Sequence, residues 1–156
     1  METNLAEAIA PDPSDPDEMV LYLIINKSLK MSKGKLVAQT GHTITQLIHK
    51  LTILHEMPHT YNRPSFPDKL DFYSWINGSQ TKVALSSDNK SDTNLAGAAS
   101  LISIESAANT FGIYNHLVQD EGRTEIPAGS YTVLGIEPLP KSHPFVQEYL
   151  SKLPLY

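Results

Sequence analysis

The chain contains no cysteine, and this absence excludes a disulfide scaffold, a thiolate metal site and a cysteine nucleophile. It also has no apolar run near the ~18 residues that a membrane span needs, so a transmembrane protein is excluded. The first residues lack the basic start and apolar stretch of a secretory signal. They are acidic, whereas a mitochondrial transit peptide is rich in arginine. We therefore expect a cytoplasmic protein that does not associate with membranes.

Basic residues are also scarce, with 12 Lys and Arg against 17 Asp and Glu and a net charge of −5. This balance argues against a nucleic-acid partner until the positions of the charges are considered. Six of the acids lie within residues 1–18, which contain no Lys or Arg. Residues 1–17 also hold three prolines, and such a segment buries too little apolar surface to fold. We expect residues 1–17 to form a disordered, acidic, proline-rich tail.

The rest of the chain is close to neutral and contains one lysine-dense segment. Four lysines fall within nine residues that include no acid: Lys27, Lys30, Lys33 and Lys35. Such a segment can generate a local positive field that attracts an anion. It can equally be a solvated surface loop. With 156 residues in total and 40% hydrophobic residues, residues 18–156 have the size and apolar content of one domain.

Hydrophobic patterning predicts strands that alternate with helices. Residues 19–25 form an apolar run typical of a strand buried on both faces. Apolar residues at three- and four-residue steps predict a helix from residue 36 to before Pro58, and a second one from about residue 92 to 111. Further strands are predicted at residues 81–85, 113–119 and 131–136, the last ended by Pro138 and Pro140, with a final short helix at 144–150. This order predicts an α/β single-domain sandwich: a four-stranded mixed β-sheet flanked by helices on both faces.

Two polar loops follow predicted strands and are candidates for a site. Ligands in α/β sheets bind beyond the carboxyl ends of strands. The lysine loop follows the first strand, and residues 120–124 (DEGRT) follow the third. If both strands point the same way, the two loops converge on one crevice.

Each loop has a chemical and a purely structural interpretation. The lysine loop leads into a helix N-terminus, where free N–H groups and lysines can hold a phosphate or an oxyanion. It lacks the glycine spacing and Lys-Ser/Thr pair of a P-loop. Asp120 and Thr124 can together hold and activate a water molecule, or Asp120 can simply accept backbone N–H bonds in a glycine turn. The six histidines show no metal-binding spacing, so we expect no metal; His42 is either functional or a packing residue.

Three segments resemble the archaeal/eukaryotic class of peptidyl-tRNA hydrolases. Residues 29–42 (LKMSKGKLVAQTGH) are similar to the family's L-K-M-G-K-G-K-x-A-A-Q-x-x-H signature. Residues 80–83 (QTKV) resemble a G-Q-x-K-V strand entry, and residues 117–136 resemble a D-A-G-R/K-T-Q-I-x-P-G-x-x-T-V-L-G-I block. The resemblance covers residues 19–156 in the same order. It implies hydrolysis of the ester that joins a peptide to tRNA, with no cofactor, by a protein that is often a homodimer.

The resemblance also implies roles for individual residues. The catalytic candidates are Lys35, Asp120, Thr124 and Thr132. The candidates for binding peptidyl-tRNA, including the acceptor-stem phosphates, are Lys27, Lys30, Lys33, Gln39, His42 and Arg123. Contacts to phosphates give affinity that falls with salt and little sequence specificity, as an enzyme that accepts many tRNAs requires.

Several residues differ from the family pattern. Ser32 replaces a glycine, Glu121 an alanine and Glu125 a glutamine, while Asn26 and Ser28 stand where arginine and aspartate are common. Residues 55–72 resemble an insertion. The two extra glutamates are expected to weaken the field for a phosphate-rich substrate and to raise the pKa of Asp120. They therefore suggest an alternative function, a catalytically weak family member that acts as a tRNA- or protein-binding module. A hydrolase acting on another ester or amide through the same site is a further alternative.

Overall fold

The computed structural model describes residues 14–56, 69–88, 95–122 and 125–156, except for the side chains of residues 55, 56 and 69–71. Its strands are β1 (Met19–Ile25), β2 (Lys82–Ser86), β3 (Asn115–Gln119) and β4 (Tyr131–Pro140). Its helices are α1 (Lys33–Glu56), α2 (Lys69–Asn77) and α3 (Gly97–Thr110), with a 3₁₀ turn at Lys27–Leu29 and a π-helical segment at Val146–Leu150. This order matches the predicted alternation of strands and helices except for α2, which was not predicted. The predicted second helix corresponds to α3, which begins at Gly97 rather than near residue 92.

The four strands form one mixed sheet in the order β2-β1-β4-β3. β1 pairs with β2 in parallel and with β4 antiparallel, and β3 also pairs with β4 antiparallel. β1 and β3 therefore point the same way on either side of β4. The carboxyl ends of these two strands lie at the same edge of the sheet, which is the condition that the predicted convergence of the two loops required.

Helices cover both faces of this sheet, as predicted. Val20, Tyr22 and Ile24 of β1 face a core completed by α3 and the segment around Phe145. Leu21, Leu23 and Ile25 face a second core completed by α1 and α2. Successive side chains of a strand point to opposite faces, so an unbroken apolar run is what a strand between two helical layers requires.

The prediction that the last strand ends before Pro138 is wrong, because β4 passes through Pro138 and ends at Pro140. Val20 pairs with Leu139 and Tyr22 with Ile136, so the register shifts between these two pairs. Pro138 lies within that irregularity. A proline lacks the N–H that a regular ladder needs, and a bulge is one of the places where a strand tolerates it.

The ends of two other predicted segments are only partly described. Residues 1–13 of the predicted tail and residues 92–94 of the predicted second helix lie outside the described residues. In the described part of the tail, the carbonyl of Pro16 accepts a hydrogen bond from the Ser142 N–H. Glu18, the first residue of the predicted domain, pairs with Lys141. The boundary between tail and domain stays a prediction.

Candidate active site

The lysine loop and the loop after β3 meet at one ion pair. The Lys35 Nζ atom, in the first turn of α1, lies 2.5 Å from the Asp120 Oδ1 atom just after β3. The two side chains are only 8% and 6% exposed. Two segments 85 residues apart thus place an ammonium and a carboxylate in the same nearly dry position, as the sequence analysis predicted.

Backbone contacts fix the Asp120 carboxylate from its own side. The Gly122 N–H donates to Asp120 Oδ2 at 2.8 Å. Gly122 has a φ of +74°, and a Cβ there would lie 2.5 Å from Ala128 atoms, so only glycine fits this turn. The Asp120 N–H donates to the Ser130 carbonyl, and the Asp120 carbonyl accepts from the Gly129 N–H.

The pKa of Asp120 is lowered overall. The expected upward effect of Glu121 and Glu125 on this pKa stays a prediction. The hydrogen bond from Lys35 is the largest cause of the lowering, and it is supported by the Gly122 N–H and the positive charge of Lys35, while burial acts in the opposite direction. Stabilisation of the charged form by donors and an ammonium is the physical reason. Asp120 is therefore a carboxylate at neutral pH.

Gln39 connects this ion pair to Thr132. Its side-chain nitrogen donates to Asp120 Oδ1 at 3.4 Å, and its side-chain oxygen accepts from the Thr132 hydroxyl at 2.7 Å. Thr132 is fully buried in β4. Gln39 and Thr132 are predicted from the sequence as separate candidates, without this connection. The signal was the four-residue step from Lys35 to Gln39, which puts both side chains on one face of a helix.

A cleft of about 330 Å³ opens beside these groups. It is lined by Lys35, Gln39 and His42 of α1 and by residues 118–121 at the end of β3. Among the described residues the three other predicted lysines do not line it; Lys27, Lys30 and Lys33 are exposed near the start of α1. Arg123 and Thr124 lie outside the described residues, so their predicted roles stay predictions.

A second histidine, missed by the sequence analysis, lies near His42. The rings of His42 and His116 are 6.5 Å apart, and Lys50 Nζ lies 2.8 Å from His116 Nδ1. Burial, Lys50 and His42 lower the pKa of His116, which keeps its ring neutral. Its place in β3, two residues before Val118 and four before Asp120, was the available signal.

Comparison with known proteins identifies the family of the chain that forms this site. The family model for Peptidyl-tRNA hydrolase PTH2 matches residues 19–156. The chain belongs to the peptidyl-tRNA hydrolase PTH2 family. The match covers both segments that meet at Lys35 and Asp120, so the described ion pair lies inside the family's own domain.

Curated relatives come from archaea and eukaryotes. Peptidyl-tRNA hydrolase 2 of Saccharomyces cerevisiae is 30% identical over 81% of this chain and 54% of its own length. Peptidyl-tRNA hydrolase of Thermococcus sibiricus is 29% identical over 76% of this chain and 83% of its own. The mouse protein named Peptidyl-tRNA hydrolase 2, mitochondrial, is 31% identical over 89% of this chain and 64% of its own. The chain thus spans about half of the yeast relative's length and most of the archaeal one's.

Four of the five named departures from the PTH2 pattern occur as contacting pairs, and the fifth is Glu121. The Asn26 side-chain oxygen accepts from the Ser28 N–H and hydroxyl, the latter at 2.6 Å, where the family commonly has arginine and aspartate. Ser32 and Glu125 also contact each other through two hydrogen bonds. In each pair, one change is accompanied by a compatible partner.

Proposed function

We propose that this chain hydrolyses the ester bond between peptide and tRNA in peptidyl-tRNA, releasing the peptide and a tRNA that can be reused in translation. The contact between Lys35 and Asp120 beside a cleft carries this proposal, because it joins a cation and a carboxylate where an ester can enter. Membership of the PTH2 family and the names of the relatives support it. They do not favour the alternative of a module that only binds.

The proposed mechanism uses Asp120, Lys35 and Thr124. Asp120, kept ionised by Lys35, holds a water molecule together with the Thr124 hydroxyl and takes one of its protons as the water attacks the ester carbonyl carbon. The negative charge that develops on the carbonyl oxygen is stabilised by the Lys35 ammonium. The carbon–oxygen bond to tRNA then breaks, and the proton passes to the leaving 3′ oxygen. In this proposal Gln39 and Thr132 hold Asp120 in place and His42 lines the path of the substrate.

We propose phosphate contacts for the exposed basic residues. Lys27, Lys30 and Lys33 lie next to the start of α1, on the same edge of the sheet as Lys35. Together with Arg123 they would contact the acceptor-stem phosphates. Contacts between these cationic side chains and phosphates do not depend on the base sequence. Binding should therefore weaken steeply as salt is added.

We also propose a cellular location and an assembly state for this chain. Among the residues described, none of the helices combines the length and the apolarity that crossing a membrane requires. We keep the cytoplasm and a homodimer as the predicted location and assembly. Fractionation of cells and analytical ultracentrifugation of the purified chain measure them directly, and a mitochondrial fraction or a monomer would correct them.

A cleavage assay on purified peptidyl-tRNA tests the activity. Asp120→Asn and Lys35→Met each remove one charge while keeping the side chain's approximate size. We expect turnover to fall about 100-fold or more in each, because a general base or an oxyanion contact is lost. Lys152→Ala, which removes an exposed lysine of the C-terminal segment, is the matched control and should match the parent.

Circular dichroism must show that both variants are folded, since loss of one partner leaves the other charge buried. Full turnover in both folded variants would remove the mechanism. The parent assayed with EDTA should cleave as fast as without it.

A further inference from the structure

Two residues that differ from the PTH2 motif contact each other across the site. The Ser32 N–H donates to Glu125 Oε2 at 3.2 Å, and the Ser32 hydroxyl donates to Glu125 Oε1. Ser32 immediately precedes α1, and Glu125 lies in the connection between β3 and β4. We call this pair of hydrogen bonds the Ser32–Glu125 link.

Ser32 also caps α1. Its hydroxyl accepts from the Lys35 N–H at 3.2 Å, and its carbonyl accepts from the Leu36 N–H at 2.9 Å. This is the arrangement of an N-cap residue, whose side chain satisfies a donor of the first turn. The Glu125 carboxylate therefore lies at the positive end of the helix dipole, where a negative charge is favoured.

The neighbours of both residues are buried together. Met31, next to Ser32, and Ile126, next to Glu125, are 8% and 7% exposed and belong to the same apolar core. The polar link is thus fixed by apolar contacts on the adjacent residues.

We propose that Glu125 is a positioning residue, which ties the loop carrying Asp120 to the helix turn carrying Lys35. The link and the Lys35–Asp120 contact connect the same two segments, one helical turn apart on α1 and five residues apart on the loop. Together they hold the described residues on both sides of positions 123 and 124 against the start of α1. The catalytic consequence of this inference rests on the proposed function. The inference assigns to Glu125 a supporting effect on the site, whereas a repulsive negative charge would weaken it.

The two possible roles of Glu125 predict opposite changes in the pKa of Asp120. If Glu125 acted only through its charge, its removal would lower the pKa of Asp120, because a nearby negative charge would be gone. If Glu125 positions the loop, its removal weakens the Lys35 hydrogen bond, which is the main cause of the low pKa of Asp120. The pKa of Asp120 would then rise.

Carbon-13 NMR titration of the Asp120 carboxyl group tests this in the full chain. In Glu125→Ala the pKa of Asp120 should rise towards its ordinary value. In Glu125→Gln, whose amide oxygen can still accept from Ser32, it should stay at or below that of the parent. Ser32→Ala removes the hydroxyl bond of the link and keeps the backbone N–H bond, so it should act in the same direction as Glu125→Ala but less strongly. It should add little in the double variant, where the carboxylate is already lost. Glu148→Ala, which removes an exposed carboxylate from the C-terminal segment, should change nothing.

Kinetics on peptidyl-tRNA provide the second measurement. Glu125→Ala should lower kcat about 10-fold with KM within about twofold, because the ester still binds but the catalytic groups are misplaced. Glu125→Gln should keep most of the parent's kcat. An unchanged or lower Asp120 pKa in Glu125→Ala, or a kcat above that of the parent, would overturn the inference. A parent that does not cleave peptidyl-tRNA would instead refute the proposed function, while the titration still decides whether the link positions Asp120.

Discussion

At the scale of single residues, the Asp120 carboxylate shows how its surroundings set its chemistry. Burial alone would favour a neutral carboxyl group, yet the Lys35 ammonium and the Gly122 N–H together lower its pKa. The ion pair fixes the relative position of the two side chains as well as their charges. Two charged groups with so little exposure to water are tolerated only when each compensates the charge of the other. Because the same contact lowers the pKa of Asp120, the direction in which activity changes with pH can be predicted.

The pH profile follows from the lowered pKa of Asp120. Because its carboxylate form is favoured in the folded protein, kcat/KM should stay constant as the pH falls from 7 to about 5. Stability from the ion pair is fully present above the unfolded-state pKa and is lost as the pH falls through the lowered folded-state pKa. In Lys35→Met the acid limb of the residual activity should move to higher pH. Stopped-assay rates from pH 4 to 8 measure it, and a limb that does not move would contradict this account.

The Thr132 hydroxyl should matter because it orients Gln39. Thr132→Val keeps the shape but leaves the Gln39 side-chain oxygen without its donor at 2.7 Å. We expect a loss of ~1–3 kcal/mol in the free energy of unfolding and a several-fold lower kcat, because Gln39 no longer holds Asp120. Urea denaturation and the cleavage assay measure the two effects. Thr132→Ser retains the hydroxyl and should lie close to the parent; equal losses in both variants would point to packing instead.

At the scale of elements, α1 carries the largest share of the site. Lys35, Gln39 and His42 all come from it, and its position depends on how closely it packs on β4. Gly135 of β4 makes this close approach possible, since a Cβ there would lie 2.7 Å from Thr43 Cγ2 and 3.4 Å from Leu47 Cδ2. Contacts between helix and sheet therefore set where the lysine meets the carboxylate.

Gly135→Ala should push α1 away from the sheet. Overpacking of this kind costs ~1–3 kcal/mol in the free energy of unfolding, and activity should fall as Lys35 moves. Thermal and urea unfolding measure the loss. Combining it with Thr43→Ser removes the contacting methyl group and should restore most of the stability.

Gly41→Ala, which changes a glycine of α1 itself, is the matched control. A Cβ at Gly41 has no neighbour within 4 Å, so this change should raise stability by about 0.5–1 kcal/mol through helix propensity. Destabilisation of equal size at both glycines would show that close packing at Gly135 is not the cause.

At the scale of the whole molecule, charge is distributed unevenly. The net charge is −5, and residues 1–18 contribute six acids and no bases. Glu18 is paired with Lys141, and the Ser142 hydroxyl lies 3.4 Å from the Asp17 carboxylate, so the described end of this segment is attached to the domain. Its negative charge opposes the approach of a polyanion such as tRNA.

Removal of residues 2–13 should tighten tRNA binding modestly. The truncation deletes Glu2, Glu7 and Asp12 but keeps the attached residues 16–18. We expect a lower Kd at low salt and no difference at high salt, because the effect is a screened long-range repulsion. Titration of labelled tRNA at several salt concentrations measures it. A difference that persists at high salt would indicate direct contact between the removed residues and the tRNA-binding surface.

The sequence by itself determined the elements and the two halves of the site. The unbroken apolar run of β1 and the helical spacing along α1 depend on local geometry, so both were predictable, as was the position of Asp120 directly after β3. Lys35, predicted in the loop before the helix, lies in the first turn of α1. The tertiary structure decided which segments meet. The path of β4 through Pro138, the Gln39 bridge to Thr132 and the Ser32–Glu125 link each join residues far apart in the chain. Periodicity reports only which face a side chain is on, and its partner is set by strand order and by the packing of α1 on β4.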